Sequence, residues 1–123
     1  MLVDLGIHVL IELKECNPVL LNDLDYVKEA LINASTDLGA TIVGESFHKF
    51  SPQGVTGILA IAESHISVHT WPEFCYAAAD IFTCGSSFNP IDVAYLIAKK
   101  FESSNPEMTT VKRGIGMLEQ IKN

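Results

Sequence analysis

An α+β fold is the class this chain of 123 residues predicts: a two-layer sandwich with an antiparallel-rich sheet and two helices on one face. Three observations predict it. Two stretches repeat apolar residues at helical spacing, six others are short, apolar-rich and bounded by turn residues, and together they run β-α-β-β-β-β-α-β.

Residues 5–13 read as a strand too dense in apolar side chains to alternate cleanly. Leu20, Leu24, Val27, Leu31, Ala34 and Leu38 then recur at spacings of four and three, one helix face stopped by Gly39 at the C′ position. Asn17-Pro18 and Asn22 both offer chemistry to start that helix. A second strand covers residues 40–48, the loop Ser51-Pro52-Gln53-Gly54 follows, and residues 55–62 form a third strand, apolar on both faces and therefore central. Residues 64–71 alternate, with Ser64, Ile66, Val68 and Thr70 on one side and His65, Ser67, His69 and Trp71 on the other. Residues 76–83 make the fifth strand. Asn89 caps a second helix that has Asp92 in its first turn and a face of Ala94, Ile97 and Phe101. Residues 108–113 form the last strand, and the final ten residues are ambiguous. With helices on one face, the other sheet face needs cover, and a second copy of the chain is the simplest cover.

The composition, 48% hydrophobic and 19% charged, is that of a single globular domain over residues 1–123, with no repeat or linker to divide it. A formal charge of -7 with no Lys/Arg cluster disfavours nucleic acid and suits a cationic ligand better. The opening MLVDLGIHVLIEL lacks the basic flank of a signal peptide, and no run approaches the roughly 20 apolar residues of a membrane span. Cys16, Cys75 and Cys84 form no CxxC pair, which suggests reduced thiols in a cytoplasmic protein.

Polar residues collect in FHKFSPQGVTG (47–57), ESHISVHTWPE (63–73) and YAAADIFTCG (76–85). His65 and His69 would be about 13 Å apart on a strand, and His8 and His48 join them only through tertiary contacts, so no metal site is expected. Cys84, after a strand and before Gly85, is a candidate nucleophile that His69 would serve as base in a hydrolase, although no motif marks an oxyanion hole. Glu63-Ser64 is the third candidate. ILAIAESHISVHT contains no Gly or Pro, so it either runs as one unusually long strand or turns without the residues that make tight hairpins comfortable. A strained peptide bond preceding a serine is what an intramolecular acyl shift requires; a plain amphipathic strand is the other reading.

The three segments, in this order and spacing and together with LG-H-V and ATIVGESFH, resemble the prokaryotic S-adenosylmethionine decarboxylases, small pyruvoyl enzymes of polyamine synthesis. The resemblance covers roughly residues 5–101. It implies a self-processing proenzyme in which the Ser64 hydroxyl attacks the Glu63 carbonyl, leaving a β chain of residues 1–63 and an α chain of 64–123 that begins with a pyruvoyl group made from Ser64. It further implies Schiff-base decarboxylation of S-adenosylmethionine to the aminopropyl donor for spermidine, with no external cofactor because the chain makes its own ketone. Cys84 would return the proton and His69 would serve processing; Phe50 and Trp71 would stack adenine and Glu73 would hold the ribose. The site would lie at a homodimer interface. Thr56 stands where related enzymes can carry serine, and Phe74-Cys75 is less usual. Two alternatives stand beside this reading: a pyruvoyl-dependent arginine or ornithine decarboxylase, and an uncleaved, non-catalytic dimeric binding module.

Overall fold

The computed structural model describes residues 4–84 and 88–117 of the uncleaved chain. Strands β1 (Gly6–Lys14), β2 (Ile42–Lys49), β3 (Val55–Ile61), β4 (Ser64–Trp71), β5 (Tyr76–Thr83) and β6 (Asn105–Arg113) form one sheet in the order β2-β3-β4-β5-β1-β6. Every neighbouring pair is antiparallel. Helices α1 (Pro18–Leu21), α2 (Leu24–Thr36) and α3 (Pro90–Lys100) pack against a single apolar face, which makes the expected two-layer α+β sandwich.

Two larger features and one strand boundary differ from the sequence reading. The single helix expected across residues 20–38 is two helices, so among the described residues three cover the sheet rather than two. Both capping signals are used: Asn17 Oδ1 accepts the Val19 N–H at 2.9 Å to start α1, and Asp23 Oδ1 accepts the Tyr26 N–H at 3.1 Å to start α2. Asn22 does not cap α2, because its side-chain oxygen accepts the Gly54 N–H at 3.0 Å instead. The apolar face runs unbroken through the break, and so periodicity alone could not reveal it. The second difference is that β3 lies next to the edge, not at the centre. β1 inserts between β5 and β6, leaving β4 and β5 in the middle.

The core is made by alternate strand residues, among them Val9, Ile11, Leu59, Ile66 and Ile81, against Val27 and Leu31 of α2 and Ala94, Ile97 and Phe101 at α3. Each large aliphatic side chain buried there stabilises the fold by about 1.5–3 kcal/mol. The intervening strand residues form the opposite sheet face, on which Leu10, Ile58 and Val111 are exposed apolar side chains. Asn89 caps α3 as expected, accepting the Ile91 N–H at 2.9 Å. The last strand begins at Asn105, earlier than the sequence suggested. Gly85 and residues 118–123 of the ambiguous tail lie outside the described residues.

Candidate active site

β3 and β4 are joined by a tight turn, because Ile61 pairs directly with Ser64. Of the two readings of ILAIAESHISVHT, the turn is therefore the one that forms. It sits at Ala62-Glu63, with Glu63 at φ 63°. That left-handed conformation costs a residue with a β-carbon about 1–2 kcal/mol. The cost falls on the residue whose carbonyl precedes Ser64.

The end of β5 meets this turn. Ser64 pairs with Thr83 across the sheet, and the Ser64 hydroxyl donates to Thr83 Oγ1 at 3.0 Å. One residue on, Cys84 directs two donors at the Glu63 carbonyl oxygen, its backbone N–H at 3.3 Å and its thiol at 2.8 Å. A hydroxyl adjacent to a carbonyl whose oxygen already accepts two donors is the layout of an intramolecular acyl shift with a stabilised oxyanion. The sequence shows no oxyanion-hole motif because these two donors come from a residue twenty-one positions away, through strand register.

A second cluster lies at the far end of β4, in a cleft of about 310 Å³ lined by Phe50, Gln53, Thr56, His69, Trp71 and Glu73 among others. The loop from β2 to β3 forms one wall. It is closed by the Phe50 N–H donating to the Gly54 carbonyl at 2.8 Å and anchored by the Gly54 contact with Asn22. Gly54 is required there: its φ is 106° and a β-carbon would lie 3.1 Å from the Thr70 carbonyl. Phe50 and Trp71 are 49% and 40% exposed, which excludes a core role and leaves both rings available to a ligand. Thr56 Oγ1 and His69 Nδ1 share a hydrogen bond at 3.1 Å, so the hydroxyl that threonine keeps at position 56 orients the imidazole. Trp71 stacks on Tyr76 at 5.5 Å, and the Tyr76 hydroxyl donates to Glu12 at 2.6 Å. Burial first, then the Glu12 hydrogen bond and charge, push that phenol up to about 12. A short 3-10 turn, Pro72–Phe74, carries Glu73 to the cleft. Cys75 ends the turn at φ 52° and uses its carbonyl to accept the Cys16 N–H at 2.9 Å.

Within one chain these two clusters do not meet. His69 follows Ser64 by five positions on β4, about 17 Å along a strand, and successive residues face opposite sides of the sheet. Ser64 is on the helix-covered side and His69 on the open side, so the expected pairing of Cys84 with His69 does not form inside a single protomer.

A third cluster was not anticipated. His8 Nε2 donates to Asp80 Oδ2 at 2.5 Å, His65 Nε2 approaches the same oxygen at 3.4 Å, and Ser67 donates to Asp80 Oδ1. Burial raises the Asp80 carboxyl pKa, but the hydrogen bonds from Ser67 and His8 and the charges of His65 and His8 outweigh it and hold the group below its ordinary value. The three ligand atoms lie within 4.8 Å of one another, which is close enough to consider a metal ion. The surroundings fit a hydrogen-bond network better. Arg113 Nη1 faces His8 Nδ1 at 3.5 Å, whereas a metal-bound histidine needs an acceptor at its outer nitrogen. Register alone assembles this group, from β1, β4 and β5, and no local motif signals it. Thr83 was missed for the same reason.

The S-adenosylmethionine decarboxylase family model matches residues 7–114. The chain is 49% identical over 111 residues to the S-adenosylmethionine decarboxylase proenzyme of Thermodesulfovibrio yellowstonii, covering 90% of this chain and 82% of that one. It is 46% identical over 111 residues to the proenzyme of the same name from Moorella thermoacetica, with 90% and 89% covered. The crystal structure of the adenosylmethionine decarboxylase from Aquifex aeolicus superposes with a TM-score of 0.85 at 28% identity, over 91% of this chain and 92% of that one. Fold and site thus define an α+β chain whose strained turn at Glu63 precedes a serine and meets two donors from Cys84. The chain belongs to the S-adenosylmethionine decarboxylase family.

Proposed function

We propose that this chain is a proenzyme that cleaves itself between Glu63 and Ser64 and then decarboxylates S-adenosylmethionine, yielding the aminopropyl donor for spermidine. The observation that carries the reading is the pair of Cys84 donors on the Glu63 carbonyl oxygen beside the Ser64 hydroxyl. Attack of Ser64 Oγ on the Glu63 carbonyl carbon places negative charge on that oxygen, where the Cys84 N–H and thiol meet it. The carbon–nitrogen bond then breaks, the hydroxyl proton ends on the freed Ser64 nitrogen, and an ester links the two parts. Loss of the Ser64 Cα proton expels the Glu63 carboxylate; the resulting dehydroalanine takes up water and releases ammonia, leaving the pyruvoyl group at position 64. The products are chains of residues 1–63 and 64–123.

The fit of this chain to that group rests on the strained Glu63 turn and the donors around its carbonyl. Once formed, that group would supply a carbonyl for the substrate amine and a sink for the electron pair left when carbon dioxide departs. Cys84, beside position 64, is placed to return a proton to the substrate carbon. In the cleft, Phe50 and Trp71 offer ring faces to adenine and to a sulfonium cation, and Glu73 offers acceptors to ribose hydroxyls.

The two clusters become one site in a homodimer whose open sheet faces meet with strands running in opposite senses. The Ser64 and Cys84 end of one protomer then adjoins the His69 cleft of its partner. The exposed Leu10, Ile58 and Val111 on that face support the arrangement. The described residues contain no helix long and apolar enough to cross a membrane. The free thiols of Cys16, Cys75 and Cys84 suit a reducing, cytoplasmic compartment.

Intact mass of the denatured protein tests cleavage, and substrate-dependent carbon dioxide release tests the reaction. Two fragments meeting at position 64, with release from S-adenosylmethionine and not from arginine or ornithine, are expected. A single full-length mass after long incubation would overturn the reading and favour the binding module.

A further inference from the structure

We infer that Thr83 is a positioning residue for self-cleavage, holding the Ser64 hydroxyl for its attack on the Glu63 carbonyl. The inference deepens the self-processing reading and rests on it. Consecutive residues at the end of β5 address the two reacting partners. Cys84 binds the electrophile through its N–H and thiol, and Thr83 binds the nucleophile through its side chain.

The geometry has a direct chemical consequence. Ser64 is the donor in its 3.0 Å hydrogen bond to Thr83 Oγ1, so its proton points at Thr83 and its lone pairs are left for the carbonyl carbon. Without that acceptor, a serine rotates among three staggered positions, of which only some bring Oγ toward the carbonyl. Thr83 is 3% exposed and its backbone pairs with Ser64 in the sheet, so neither water nor loop motion blurs the contact. A neutral hydroxyl is not a base, and Thr83 gains no proton overall. The new bond is Ser64 Oγ to the Glu63 carbonyl carbon, the broken bond is that carbon to the Ser64 nitrogen, and the Ser64 proton ends on that nitrogen. Thr83 is assigned to ester formation, the step in which Ser64 Oγ still carries the proton it donates to Thr83.

The test follows cleavage of freshly translated precursor by denaturing gel and intact mass, with and without hydroxylamine, which splits an accumulated ester. Thr83→Val keeps the shape and removes the hydroxyl; Thr83→Ser keeps the hydroxyl; Thr83→Ala is a second hydroxyl-free variant should valine prevent folding, judged by circular dichroism. Loss of positioning in an intramolecular reaction is expected to slow the hydroxyl-free variants by about 10- to 100-fold, with the serine variant within about threefold of the parent. Hydroxylamine is expected to release no extra fragment from the slow variants, since their ester does not form. Parent-like cleavage of Thr83→Val or Thr83→Ala would overturn the inference. So would equal slowing of Thr83→Ser, or slow variants that hydroxylamine splits completely. A parent chain that never cleaves would instead overturn the self-processing reading, and this inference with it.

Discussion

The Cys84 thiol donates to the Glu63 carbonyl oxygen at 2.8 Å, across a hairpin from a residue twenty-one positions earlier. In the proposed self-processing, the contact gives one side chain two tasks at one place: it would meet the developing charge when Ser64 attacks, and it would stay beside position 64 once the peptide bond there is gone.

Cys84→Ala therefore removes one of two donors, the backbone N–H remaining. Cleavage is expected to slow by about 100-fold, the scale of losing one oxyanion donor. Cys84→Ser retains a donor and is expected to cleave faster than Cys84→Ala. A gel time course measures both, and equal rates in the two variants would argue against a role for the side chain in processing.

Mixed dimers separate a shared site from a single-chain one. His69→Ala alters the cleft at one end of β4 and Cys84→Ala the residue after β5 that meets the turn at its other end, and each alone is expected to be nearly inactive. When the two are co-expressed, random pairing makes half of the dimers mixed, each with one undamaged composite site, so about a quarter of parental carbon dioxide release is expected. No recovery would contradict the shared site.

Trp71 stands in the cleft, stacked on Tyr76 and far along β4 from the Glu63-Ser64 bond. Trp71→Ala is expected to cleave within about threefold of the parent while raising KM for S-adenosylmethionine about tenfold, the worth of a stacking partner. Cleavage lost in step with substrate binding would mean that the ring instead supports the fold of the turn.

Asp80 ties stability to pH. A carboxyl whose pKa is depressed on folding stabilises the native state above its unfolded value, about 3.9, and that contribution is lost as pH falls through the folded value. Asp80→Asn is expected to lose about 1–3 kcal/mol near neutrality, the cost of removing a charged hydrogen-bond partner. The difference from the parent is expected to narrow below about pH 4. Urea unfolding at fixed protein concentration across that range measures it, and a difference that stays constant down to about pH 2.5 would contradict the assignment.

The strands over residues 64–71 and 76–83 were legible to the residue, because period-two alternation and flanking turn residues act locally. So was the Asn89 cap of α3. The break between α1 and α2 was not, since Asn22 and Asp23 are both plausible caps and only the Asn22 contact with Gly54 decides between them. The candidate site divided in the same way. Phe50, His69, Trp71 and Glu73 lie in contiguous motifs, and the structure gathers them in one cleft. Thr83, Asp80 and His8 take their places through strand register, which a single sequence does not display.

By itself, then, the sequence determined the α+β class, the elements and the chemical cast of residues, because hydrophobic period, capping and turn chemistry are written within a few neighbouring positions. The tertiary structure alone decided that Glu63 turns with a positive φ, that Cys84 and Thr83 meet that turn, and that His69 lies at the other end of its strand. These are consequences of which strands pair and in what register. That choice is made by the summed burial of one sheet face against the helices, a property of the whole chain that no short segment carries.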